Sequence, residues 1–379
     1  MARSVLQNGK PSRENPILSV PRQARRETFP IPCRFRKEGS LASFEMRHWA
    51  LTRQRLSLLL IAIVCALWFG KSPARAAEKI RVAYPAVAPG LTPSWITAEA
   101  GIWRKYGLDV ETILVSGGAR AVPALISNSV QFLMGSDTGV TTARLQGLPL
   151  VRLGVTMNTL GSSLLTQHSI QSVRDLKGKT LGISRGRDAS YIRLAKLLRD
   201  HGLNLNQDVK FLPIGGGEGG RLSALKAGVI QGTMLFPPLD LIASNDGLKV
   251  LEKFDVATPG GGINTTEALL KQNRAMVINF LKGYLEGIHY MAQHKEPSVK
   301  ILQKYFQNPD RAAMGYLYDE TTRRLEKDLH ASQESIRFHL ELAALDDPRA
   351  AKLGEKDFWD DSVVEEIRRS GFIEQLYKK

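Results

Sequence analysis

One block of residues recurs about a hundred positions along the chain, and this repeat constrains the fold more than any other feature. Ala100, Arg104, Gly107 and Leu108 close a helix-like run, and Ala195, Arg199, Gly202 and Leu203 do so again at the same spacing. Each run leads into a strand that stops at a glycine pair, Gly117-Gly118 in one copy and Gly215-Gly216 in the other. Further on, Ala124-Leu125 and Val130-Gln131 are echoed by Ala224-Leu225 and Ile230-Gln231. Two similar α/β units in one chain point to a cleft between them, where small ligands bind. Two unrelated βα units would share part of this pattern.

The net charge of +15 suggests a nucleic-acid partner until its distribution is read. Residues 1–76 hold 14 Lys/Arg against 4 Asp/Glu, whereas the other 303 residues hold 38 against 33. No basic helix or basic-aromatic stripe stands out in that second part, so no nucleic-acid partner is expected. The basic segment reads as a targeting signal. Met46-Arg47-His48-Trp49 with Arg53 and Arg55 forms a positive start, Leu56 to Gly70 is apolar, and Ala74-Arg75-Ala76 supplies a small-x-small cleavage site. The expectation is an upstream extension at 1–45 with translation starting at Met46, a signal peptide at 46–76, and a periplasmic mature protein from Ala77. An uncleaved anchor is the other reading, although the apolar run is short of the ~20 residues that span a bilayer. Cys33 and Cys65 both fall in the removed part, so the mature chain would carry no thiol, disulfide or cysteine metal site.

From Ile80 to about 254, strands and helices alternate, which argues for parallel or mixed sheets covered by helices. Ile80–Tyr84 reads as a strand opening into a Pro/Gly loop. Ser94 is a plausible N-cap for a helix to Tyr106, stopped by Gly107. Strands at 109–115, 130–135 and 151–157 follow, with helices after the first two and Pro123 tolerable only in a first helical turn. A second series begins at Ser163–Gln167, with strands at 180–184, 209–214, 230–236 and 248–254 and helices at Tyr191–His201 and 221–227. From Glu267 the pattern is helical: 267–294, 297–307, 310–325, 332–345 and 362–370. The predicted architecture is therefore α/β, with lobe one at 77–160 plus 260–379, lobe two at 161–259, and the helical tail packed on lobe one. Gly260-Gly261-Gly262 suits a crossing strand or a hinge at the exit from lobe two, and a plain loop fits it equally.

The candidate ligand-binding residues lie where strands end and helices begin, because free backbone N–H groups and the positive end of the helix dipole gather there. In lobe one these are Thr92, Ser94, Ser116, Gly117, Gly118, Ser136, Asp137 and Thr138. In lobe two they are Arg187, Ser190, Gly217 and Glu218, with Arg187 able to grip an acidic group bidentately. Trp95, Tyr191 and Phe236 are aromatics near the loop mouths, together with Tyr84. Each of these also has a purely structural reading, as a helix cap or a core ring. The run Gly215–Gly220 lacks the Gly-Lys-Ser/Thr ending of a nucleotide loop, and Glu218 within it would repel phosphate yet accept from an amine or ring N–H. No His spacing suits a metal: His289 and His294 lie five apart and do not share a helix face. No catalytic residue, metal or cofactor is expected.

With these features in place, the chain resembles the solute-binding proteins of ABC importers for nitrate, sulfonate, taurine and related compounds, which share a fold with fungal thiamine-pyrimidine precursor synthases. The resemblance rests on Ile80–Tyr84, on Ala98-Glu99-Ala100-Gly101-Ile102-Trp103-Arg104-Lys105-Tyr106-Gly107-Leu108-Asp109-Val110, on Gly117-Gly118 and on Asp175-Leu176-Lys177-Gly178-Lys179-Thr180-Leu181-Gly182. It covers about 77–345. It implies a type II periplasmic-binding fold with a double crossover, closing by hinge motion on a small-molecule ligand, and a monomer that docks on an ABC permease with its ATPase. Asp137 and Glu218 add negative charge, which favours a taurine-like zwitterion, a sulfonate-bearing organic solute or a nitrogen heterocycle over nitrate. The synthase-like enzyme is disfavoured because a mature chain without cysteine cannot supply that family's cysteine-rich segment. An extracytoplasmic sensor is the remaining alternative, and no downstream signalling module follows.

Overall fold

The computed structural model describes residues 77–378 except Ser136, residues 185–188 and Asn206. The signal peptide and start-codon expectations therefore lie outside the described residues. Among the described residues, ten strands form two five-stranded sheets of matching design. The first contains β1 (Glu78–Tyr84), β2 (Leu108–Leu114), β3 (Phe132–Met134), β4 (Leu150–Gly154) and β10 (Ile263–Thr266), in the order β2-β1-β3-β10-β4. The second contains β5 (Met157–Thr166), β6 (Lys179–Ile183), β7 (Val209–Pro213), β8 (Gly232–Leu235) and β9 (Lys249–Gly260), in the order β7-β6-β8-β5-β9. In both, a central strand pairs in parallel with two neighbours, and strands added on the far side run antiparallel.

The repeat survives to single hydrogen bonds. Gln131 N donates to Arg81 O at 2.9 Å while its side-chain oxygen accepts from Arg81 N at 2.9 Å. Gln231 does the same to Thr180, at 2.8 and 3.1 Å. Their amide nitrogens both donate back to the preceding turn, at Asn128 O and Gly228 O, each at 3.1 Å. Each glutamine thus supplies one extra rung that ties its βαβ unit to the central strand, where backbone groups would otherwise go unpaired.

Helix α1 (Thr92–Glu99) starts three residues earlier than its sequence suggests, with Leu91 as N-cap and Pro93 in its first turn. Proline suits that place because its missing N–H has no intrahelical partner there. Gly101, at φ 66°, interrupts the predicted long helix, and Ile102–Tyr106 continues as a 3-10 turn closed by Gly107 at φ 74°. Helix α2 (Gly118–Ile126) holds Pro123 in its second turn, beyond the predicted limit, and stops three residues later. Helix α3 (Asp137–Leu145) follows β3, and α4 (Ala189–Asp200), α5 (Gly217–Lys226) and α6 (Leu239–Asn245) serve the second sheet. Helix α5 begins four residues before the predicted start. Gly220 folds back against Gly215 O so closely that a Cβ there would collide with it, so the glycine run is wound into the helix rather than preceding it.

Two differences concern the crossing. Residues 158–163, expected as a connection, belong to β5, which pairs with β9 from Met157–Gly260 to Thr166–Lys249. Both passages between the sheets are therefore strands bonded to each other. Gly261, at φ 65°, makes the turn out of β9 against Gly90 O and Thr156 Oγ1, where no side chain fits.

The predicted 267–294 helix is two: α7 (Glu267–Gln272) and α8 (Arg274–Gln293), divided at Asn273, whose side chain caps α8. Helices α9 (Lys295–Phe306), α10 (Arg311–Thr322), α11 (Gln333–Asp346), α12 (Ser362–Arg369) and α13 (Phe372–Tyr377) complete the chain. Residues of α8, α12 and α13 share one buried cluster with β1 and β3: Phe280 stacks on Phe132 at 3.8 Å and on Trp103 at 5.1 Å. The helical tail thus packs on the first sheet.

Candidate functional site

A cavity of about 1170 Å³ is lined from both sheets and from the crossing strands. The first sheet contributes Tyr84 and the loop Pro85–Leu91, with Gly135 and Thr138 after β3. The second contributes Gly217 and Glu218 at the start of α5 and Phe236-Pro237-Pro238 after β8. These are carboxyl ends of strands, the usual binding edge of an open α/β sheet. Met157, Leu160 and Gly260 lie at the base, and Tyr305 and Phe306 at the end of α9 form part of the wall.

Charged side chains in the lining are Arg193, Glu218, Lys304, Glu320 and Arg324. Glu218 accepts from Phe236 N at 3.1 Å, and Arg193 on α4 lays its guanidinium 4.9 Å from the Phe236 ring centroid. Arg221, one turn along α5, is 2% exposed and donates to Ser184 Oγ and to Met234 O. Burial pushes the Glu218 carboxyl up to about 7; the Phe236 N–H, Arg221 and Arg193 hold it down, and Asp240 adds to the rise. On the opposite wall, His339 lies 2.7 Å from Thr141 Oγ1, and burial with the nearby Arg152 keeps it well below the usual histidine range. That ring is neutral at pH 7. Among the described residues no three His, Cys, Asp or Glu side chains could hold a metal ion.

Of the residues singled out from sequence, Thr138, Gly217, Glu218 and Phe236 meet at the cavity. Thr92, Ser94 and Trp95 do not: all three are buried behind the loop, because α1 starts at Thr92 and turns this stretch into the core. Thr92 Oγ1 points at Met291 Sδ, and Ser94 Oγ donates to Leu91 O at 2.6 Å instead of capping the helix. Ser116 and Gly117 are exposed and are not among the described lining residues, and Gly118 opens α2. Asp137 opens α3, and nothing is described of its side chain. Ser190 is 4% exposed and its Oγ accepts from Ser184 N, while Tyr191 packs edge-on against Phe211 at 4.8 Å. Ser136 and Arg187 lie outside the described residues.

Sequence reasoning passed over Arg193, since a helical arginine normally reads as solvent-facing; in the structure it is 5% exposed and lines the cavity. A nucleophile-elbow pattern, Gly-x-Ser-x-Gly, was expected to be absent, yet Gly182-Ile183-Ser184-Arg185-Gly186 fits it. Ser184 Oγ accepts from the Arg221 guanidinium.

The Glu218 assignment has a pH signature. A carboxyl at about 7 in the folded chain and near 4.5 unfolded binds its proton more tightly when folded. Its contribution to stability is complete below pH 4.5 and is lost as pH rises through 7. Against a Glu218→Gln variant, wild-type stability should therefore fall between pH 4.5 and 7, by on the order of 3 kcal/mol. Urea unfolding across that range checks it; a difference independent of pH would mean that Glu218 is solvated.

Comparison with known proteins adds the following. The family described as NMT1/THI5 like matches residues 88–298. A binding protein of Brucella abortus is 33% identical over 129 residues, 33% of this chain and 39% of that protein. The riboflavin-binding protein RibY of Chloroflexus aurantiacus is 26% identical over 201 residues, 52% of this chain and 57% of that one. The chain thus spans less than two thirds of the length of these relatives. Among solved structures, the periplasmic aliphatic sulphonate binding protein SsuA of Escherichia coli matches with a TM-score of 0.59 at 19% identity, over 73% of this chain and 94% of that one. That likeness is one of fold.

Proposed function

The chain belongs to the NMT1/THI5-like family, and on that premise we propose that it is an extracytoplasmic solute-binding protein that closes two lobes on a small organic solute and delivers it to an ABC importer. Lobe one is 77–160 with 260–379, lobe two is 161–259, and the protein works in the periplasm as a monomer. The observation that carries this reading is the cavity itself: about 1170 Å³, lined from both sheets and from the paired strands β5 and β9 that cross between them. Ligand pockets of this kind are largely apolar with a few placed polar groups, and Arg193 and Glu218 are such groups.

Within the ligand classes expected from sequence, a nitrogen heterocycle is favoured. Tyr84, Phe236 and the Pro237-Pro238 wall offer flat apolar surface, and the volume far exceeds a taurine-sized solute. Glu218 can accept from a ring N–H when ionised, or donate to a ring carbonyl or nitrogen when protonated. The riboflavin-binding relative is consistent with this choice. Arg193 leaves room for an acidic substituent such as a sulfonate on the same ligand.

A thermal-shift screen with riboflavin, simple pyrimidines, taurine and short alkanesulfonates tests the choice. A bound heterocycle at a hundredfold excess over Kd is expected to raise apparent stability by about 2.7 kcal/mol, with taurine flat. A response to taurine alone would reverse the ligand class, and a flat response to all would remove every class named here.

A further inference from the structure

Helix α10 carries two faces of opposite character. Ala313, Met314, Leu317 and Tyr318 are buried in a cluster with Ile96 of α1 and Val299 and Leu302 of α9, and Tyr318 OH donates to Met291 O at 2.6 Å. This face belongs to lobe one. Tyr316, Glu320 and Arg324 recur every four residues, which places them on one stripe of the helix and its C-terminal extension. That stripe lies along lobe two.

Tyr316 OH donates to Asp240 Oδ2 at 2.9 Å. Asp240, on α6, is 1% exposed and is fixed by two further donors, Ser163 Oγ at 2.6 Å and Leu241 N at 2.8 Å. Lys253 on β9 donates to Tyr316 OH at 3.1 Å and sits 5.1 Å from its ring centroid. Nearer the turn between the lobes, Arg324 Nε donates to Asp255 Oδ1 at 2.9 Å, and its guanidinium fills the space left by Gly161 on β5, where a Cβ would collide with it. Arg324 is held in turn by Glu320 Oε2 at 2.9 Å.

An interface that must part and re-form is built differently from one that must not. The lobe-one face of α10 is apolar and interlocked, whereas its lobe-two stripe is mainly a row of hydrogen bonds and ion pairs, with Ile242 of α6 as an apolar contact beside it. We propose that the Tyr316–Glu320–Arg324 stripe is a latch that holds the two lobes at their closed angle, with the buried Asp240 carboxylate as its catch. This rests on two-lobe closure and not on the identity of the ligand. Because the hydrogen bond to Asp240 forms only when the lobes are together, removing it shifts the closing equilibrium, and apparent affinity falls with the closed fraction.

The test uses the full chain with Tyr316→Phe, which deletes one hydroxyl, and separately Arg324→Met. Small-angle scattering without ligand is expected to fit the compact arrangement for wild type and a more extended particle for each variant. Riboflavin, used as the probe, is expected to bind the Tyr316→Phe protein roughly tenfold more weakly. Scattering curves for both variants that superimpose on wild type would overturn the latch. Failure of wild type to bind riboflavin would count against the heterocycle reading alone, since the scattering result decides the latch without any ligand.

Discussion

Replacing Trp95 by alanine is expected to lower the unfolding free energy by about 3–5 kcal/mol, the range for losing a large buried aromatic. Trp95 is 0% exposed, stacks on Tyr305 with ring centroids 4.8 Å apart, and meets Tyr84 and Phe306 edge-on at 5.3 and 6.0 Å. Tyr84 and Tyr305 line the cavity while Trp95 stands behind them, so its loss acts on the wall and not on the ligand directly. The conservative change separates these roles. Trp95 Nε1 has no hydrogen-bond partner among the described residues. Trp95→Phe removes that buried donor along with part of the volume, and should cost under about 2 kcal/mol, since an unmade buried hydrogen bond is itself a penalty. Urea unfolding of the three proteins checks the order. A Trp95→Ala protein as stable as wild type but unable to bind any ligand would return Trp95 to the site.

Gly287→Ala should also destabilise, by about 1–3 kcal/mol, although alanine is the better helix former by about 1 kcal/mol. Helices α1 and α8 cross at this glycine, and a Cβ on it would overlap the Thr97 side chain, whose Oγ1 donates to Pro93 O at 2.5 Å. Packing and propensity therefore predict opposite signs, and packing wins because neither backbone can retreat from a 0% exposed contact. Thr97→Ala clears the obstruction. In the double variant the Gly287→Ala cost should largely disappear, leaving a coupling well above the ~0.5 kcal/mol scatter of independent sites. Additive losses would show that the helices adjust without strain.

Both effects depend on residues whose place was hidden in the sequence to different degrees. Thr92, Ser94 and Trp95 carry the signature of a polar helix start beside an aromatic, and a start that faces ligand looks the same as one that faces core. Pro93 was the informative residue: as a first-turn proline it moves the helix start to Thr92 and rotates all three inward. Glu218 and Phe236 were legible because a glycine-rich turn and a strand-ending Phe-Pro-Pro leave little choice of position. Arg193 was not, since nothing local distinguishes an arginine whose stem is buried from one that is solvated. The strand character of 158–163 was missed for a related reason. Residues 158–163 lack apolar alternation because β5 pairs with β9 at the junction of the sheets, where one face is not simply core and the other water.

What the sequence determined by itself is the repeated unit: local spacing of apolar residues, glycines at the turns, and Gln131 and Gln231 each bonding back to a central strand only fifty residues away. Those interactions close within one βαβ segment, so their pattern is written in neighbouring residues. Which turns face the cavity, which arginines reach it, and how α10 bridges the lobes were decided only in the tertiary structure. They depend on contacts between residues far apart in the chain, such as Tyr316 with Asp240 and Trp95 with Tyr305, and burial there is set by the meeting of elements that share no sequence period.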